Sequence, residues 1–222
     1  MIQVIQSDES PHKGGYGIMQ NRKMDIQKLT GIAIFTAIVV ILQAIGAAIR
    51  FGPFSVSLVL LPIVVGAALY GPAAGAWLGF VFSVVVLVSG DAAAFLAVNV
   101  PGTLITVLVK GTAAGLVAGL VYHGLVKVLH ARSSKSLLPA VILSALSAPV
   151  TNTGLFLIGC VLFFLPTIRG WAESLGFPNA GNYMIFGMVG GNFLMEVLLN
   201  IVLVPVIVEL IRVGRRTYSA KK

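Results

Sequence analysis

The chain has 222 residues, 58% of them apolar and 10% charged, with a mean hydropathy of +1.00. No soluble core of this size encloses so much hydrophobic surface, so the composition excludes an ordinary soluble domain and makes the bilayer the solvent. The net charge of +8 does not imply a nucleic-acid partner, because most cations flank apolar runs, where the bias of Lys and Arg toward the cytoplasmic side accounts for them.

Residues 1–24 are polar, contain Gly14 and Gly15 and lack the apolar core of a secretory signal. They are expected as an uncleaved, disordered cytoplasmic leader, with Met19 and Met24 as alternative starts to Met1. Residues 25–213 are the expected membrane domain and 214–222 a basic cytoplasmic tail. Apolar stretches at 26–48, 56–70, 72–89, 101–129, 137–165 and 189–212 predict an all-α integral membrane protein, a compact bundle of six transmembrane helices. The second and third are short, and Tyr70, Gly71 and Pro72 between them predict a hairpin turn or a kink.

An even number of crossings puts both ends on one side of the membrane. Twelve of the fifteen cations precede the first stretch, join the fourth to the fifth or follow the sixth, which predicts cytoplasmic termini and a multi-pass cell-membrane location. The opposite segments, 49–55, 90–100 and 166–188, then face outward. The last carries Trp171, Asn182 and Tyr183 and is expected to be a loop serving as a lid, or to hold interfacial aromatics only.

Lipid tails are as apolar as leucine, so helices in a membrane associate through small residues that let backbones approach. Gly71, Gly75 and Gly79 recur at spacing four in the third stretch, and Gly111, Gly115 and Gly119 in the fourth. Both rows predict packing inside the bundle. In the first stretch Ala33 and Ala37 repeat the interval and suit a face that meets another membrane protein.

Charged groups inside hydrocarbon require partners or a water-lined cavity, so Lys110 and Glu196 stand out. At 1.5 Å per residue they lie roughly 13 and 10 Å below the outer surface, close enough in depth to pair. Asn192, Glu196 and Asn200 share one helical face, Asn152 and Thr153 follow Pro149, and Thr103 and Thr106 sit above Lys110. Such a convergence acts either as interhelical glue or as the grip on a small polar solute. The chain has no G-x-x-x-x-G-K-[ST] loop and no H-E-x-x-H motif, and its one cysteine, Cys160, sits in an apolar run. Neither an enzyme, a metal site nor a cofactor is expected.

The stretch from Ser57 to Val88, with Leu-Pro-Ile and Tyr-Gly-Pro followed by glycine repeats, resembles the substrate-binding S components of energy-coupling factor (ECF) vitamin importers. The likeness extends over all six stretches and includes the run KGTAAGLVAGLVY from Lys110 and Ala33-x-x-x-Ala37. It implies a substrate-binding subunit that captures a vitamin-like nutrient and works with a transmembrane T subunit and two cytoplasmic ATPases. It also implies that Ala33 and Ala37 meet the T subunit, and that Arg50 to Ser55, with Phe51 and Phe54, form a gate. Asn152 to Phe156 and Phe163-Phe164 look most like the pantothenate-type members. A carboxylate would suit Lys110, unless Glu196 neutralises it; a riboflavin-like ligand would stack on the aromatic residues instead. A free-standing secondary carrier is the alternative outside this class.

Overall fold

In hydrocarbon a backbone finds hydrogen bonds only with itself, and the chain is correspondingly helical along most of its length. The computed structural model describes the backbone over residues 13–48, 50–51, 54–55, 58–130 and 134–219, and side chains within 26–47, 58–130 and 136–214. Helix α1 (Lys13–Ala48) leads into a short antiparallel ladder, β1 (Arg50–Phe51) and β2 (Phe54–Ser55), which pairs Arg50 with Ser55 and Phe51 with Phe54. Then follow α2 (Leu60–Tyr70), α3 (Pro72–Val88), the single turn α4 (Ala93–Leu96), α5 (Val100–Val128) and α6 (Ser134–Phe163). The remainder comprises α7 (Leu165–Ser174), α8 (Ala180–Asn182), a π-helical segment (Tyr183–Val189), α9 (Gly190–Val202) and α10 (Val204–Ser219). Helix α1 thus begins within the stretch expected as leader, and residues 1–12 lie outside the described residues.

Among the described residues, four helical segments are long and apolar enough to cross a membrane: Ile26–Ala47, Val100–Val128, Ser136–Phe163 and Ala180–Val202. Helices α2 and α3, with 11 and 17 residues, extend only about 17 and 26 Å, short of the roughly 30 Å of hydrocarbon. The chain turns between them at Gly71, whose φ of 101° is open to glycine and strained for other residues, and Pro72 starts the next helix where its missing N–H costs nothing. Helix α2 is the buried centre, with Leu60, Ile63, Val64, Val65 and Ala67 closed off by α1, α3, α5, α6 and α10.

Two boundaries differ from the sequence reading. The last segment long and apolar enough to cross is Ala180–Val202 rather than 189–212, because Pro205 cannot donate to the Ile201 carbonyl and the ladder breaks at Leu203. Helix α10 beyond it is amphipathic: Val204, Ile207 and Ile211 bury one face against α2 and α6, while Glu209 and Arg212 stay exposed. The segment 166–188, expected as a loop, is largely helical. Pro166 suits the first turn of α7, Ile168 and Ala172 bury one face of it, and Gly176 at φ 74° closes it. There the Phe177 amide donates to the Ala172 carbonyl at 2.8 Å and the Gly176 amide to that of Glu173 at 3.1 Å.

Five of the six glycines in the two rows form the contact between α3 and α5; Gly71, where a Cβ would meet nothing within 4 Å, serves the turn instead. A Cβ on Gly75 would overlap the Gly115 carbonyl oxygen, and one on Gly79 that of Gly111, so the two backbones touch. Ser83 Oγ reinforces the contact, donating toward the carbonyls of Val107 (2.8 Å) and Gly79 (3.0 Å), and Ser144 Oγ ties α6 to α5 through the Ala118 carbonyl (2.8 Å). Gly124, by contrast, would meet nothing within 4 Å. Replacing Gly79 with Val should therefore cost about 3 kcal/mol or more, visible as a large drop in melting temperature in detergent, whereas Gly124→Ala should hold or raise it. Equal effects of the two would refute the backbone contact.

Candidate functional site

The cavity with polar walls lies in the half of the bundle where α5 begins and α6 ends, away from the connection between those two helices. Its volume is about 560 Å³, within the range of small-molecule sites. Asn99 starts α5 by accepting a hydrogen bond from the Gly102 amide (2.9 Å), and Thr103, Thr106, Val107 and Lys110 then face the cavity at helical intervals. Helix α6 adds Asn152, Thr153 and Phe156, beyond the interior Pro149. Helix α9 adds Asn192 and Glu196, and the wide π-helical turns before it contribute Tyr183, Met188 and Val189. Each π turn takes up one extra residue, which rotates the following helix by about 100° and sets the face it presents.

Lys110 and Glu196 both line this cavity, but no ion pair joins them. Glu196, only 2% exposed, receives a hydrogen bond from Asn192 Nδ2 at 3.0 Å. Lys110 Nζ sits instead 5.1 Å from the ring centre of Phe156 and 6.0 Å from that of Phe82. No salt bridge closes between them, so the pairing that their similar depth allows is absent.

Four buried side-chain atoms on these walls have no hydrogen-bond partner among the described residues: Thr106 Oγ1, Asn152 Oδ1, Asn192 Oδ1 and Glu196 Oε2. The orientation of Asn192 follows from chemistry, because a carboxylate offers acceptors and so draws the amide nitrogen, leaving the amide oxygen toward the cavity. A cluster of rings lines the same cavity. Phe95 of α4 meets Phe164, Phe156 and Trp171 edge to face at 5.0, 5.5 and 5.7 Å, joining α4, α6 and α7.

Of the residues singled out in the sequence, Lys110, Thr106, Asn152, Thr153, Asn192, Glu196, Trp171 and Tyr183 line the cavity. Asn200 is buried but stands off its walls, and Asn182 is held at the start of the π segment, its amide donating to Asn179 Oδ1 (2.8 Å). The side chains of Arg50, Phe51 and Phe54 lie outside the described residues. Ala33 and Ala37 are exposed on α1, beside the exposed Ile34, Ile38 and Ile41. The structure adds Gln43, whose Nε2 donates to Asp91 Oδ2 at 2.8 Å and ties α1 to the turn before α4. A lone amide in an apolar crossing was its sequence signal. The Phe95 cluster had none, since its members are far apart in the chain.

The family profile described as "ECF transporter, substrate-specific component" matches residues 27–208. A solved structure of ThiT from Listeria monocytogenes is similar in fold, with a TM-score of 0.64 and 20% identity, covering 87% of this chain and 97% of that one. No curated protein sequence matches. With the profile spanning most of its length, the chain belongs to the substrate-specific components of the ECF transporters.

Proposed function

We propose that the chain captures a pantothenate-like nutrient, a hydroxylated, amide-bearing carboxylate, in the cavity between α5, α6 and α9. The nutrient enters from the side opposite the termini and passes inward with a T subunit and two ATPases. The observation that carries this reading is the set of four unpartnered buried oxygens on the cavity walls. Left unmatched, each costs about 1–3 kcal/mol; ligand hydroxyls and an amide N–H supply the donors that three of them require, while Thr106 Oγ1 gives or accepts. Lys110, unpaired with Glu196, remains free to meet a carboxylate. A riboflavin-like ligand has less support, because the rings nearest the cavity already pack edge to face on one another.

Two experiments test the reading. Titration of the purified chain with pantothenate should give one site, and Lys110→Met should weaken it by about 10- to 100-fold, the worth of a charge-assisted hydrogen bond. Asn152→Leu should weaken it less while leaving the melting temperature near its original value. If pantothenate fails to bind but another small molecule does, the ligand assignment falls and the capture role survives. Substituting Leu at both Ala33 and Ala37, exposed on α1, should leave nutrient binding intact and prevent recovery of the T subunit with the chain. Unimpaired assembly would remove α1 from that interface.

A further inference from the structure

A second concavity lies on the outer surface of the bundle, between the later half of α5 and the first half of α6. It measures about 590 Å³ and is lined by Leu120, Gly124, Leu125, Leu143, Ser147 and Val150 among others. It exists because Gly124 puts no side chain there, a Cβ at that position meeting nothing within 4 Å. Its polarity is opposite to that of the first cavity. The hydroxyl of Ser147 donates to the Ser144 carbonyl at 2.8 Å and asks nothing of an occupant, while Leu120 and Val150 are more than half exposed. These walls match an apolar occupant.

The end of the groove is cationic. Lys127 is exposed in the last turn of α5, three residues beyond Gly124 and so on the same face. At 1.5 Å per residue it lies about 5 Å further along the helix, in the last turn before the connection to α6. The following connection carries Arg132 in the sequence and α6 has Lys135 in its first turn, while between Asp91 and Glu173 the chain contains no acidic residue. Neither α5 nor α6 therefore offers Lys127 an intrahelical counterion.

We propose that the groove seats an acyl chain of an anionic phospholipid, with its phosphate held at Lys127. Gly124 opens the space, the self-satisfied serine keeps it dry, and the basic helix end selects the headgroup; basic recesses between membrane helices hold acidic lipids by the same combination. The site is separate from the nutrient cavity and independent of what that cavity binds.

The test uses the full chain, stripped of lipid in detergent and titrated with phosphatidylglycerol or with phosphatidylcholine of the same acyl chains, the bound lipid being counted by native mass spectrometry. Phosphatidylglycerol should be retained at one site, about fivefold tighter than phosphatidylcholine. Lys127→Gln should erase that preference. Gly124→Leu should abolish retention of phosphatidylglycerol without lowering the melting temperature, since the side chain enters open space. Equal retention of the two lipids, or indifference to either substitution, would overturn the proposal. So would loss of T-subunit assembly in Gly124→Leu with lipid retention unchanged, which would assign the groove to a protein helix.

Discussion

Hydrocarbon supplies no hydrogen bonds, and this constraint organises the whole molecule. It makes the chain helical, and it requires that polar side chains either satisfy one another or surround something that satisfies them. Ser83, Ser144 and Ser147 follow the first course, each donating to a carbonyl of its own or a packed helix. Thr106, Asn152, Asn192 and Glu196 follow the second, because each keeps a buried oxygen unmatched on the walls of one cavity.

The close approach of α3 and α5 makes the cavity possible. With Gly75 and Gly79 against Gly115 and Gly111, the facing sides of these helices are sealed, and Lys110 and Thr106 lie on another face of α5. Helix α2 fills the centre of the opposite half with aliphatic side chains, so the polar space is confined to one end of the bundle. The Phe95 cluster draws α4, α6 and α7 together at that end. Gln43 joins α1 to the same region through Asp91, which links the helix bearing Ala33 and Ala37 to the cavity wall.

Much of this was legible in the sequence because a membrane simplifies the code. Long apolar runs announced α1, α5 and α6, and glycines at spacing four announced the α3–α5 contact. Polar residues inside those runs announced several walls of the candidate site, since each is expensive enough there to need a reason. Three features were less legible. The helical character of 165–189 was hidden by its mixed polarity, although Pro166 and Gly176 mark the start and end of α7. The π turns have no compositional signature, so the face presented by Asn192 and Glu196 could not be phased from Val189. Depth alone suggested a Lys110–Glu196 pair, because depth ignores rotation about the helix axis and the aromatic side chains beside Lys110.

The central claim is that the unmatched oxygens between α5, α6 and α9 are completed by a captured solute. Native mass spectrometry of the chain, purified gently from cells supplied with nutrients, addresses it most directly. The account predicts one small molecule per chain, lost when Asn152, Asn192 and Glu196 are replaced together by Leu, Leu and Met in a variant that still folds. A chain that carries no such molecule and takes up none offered, while its triple variant is merely more stable, would contradict it.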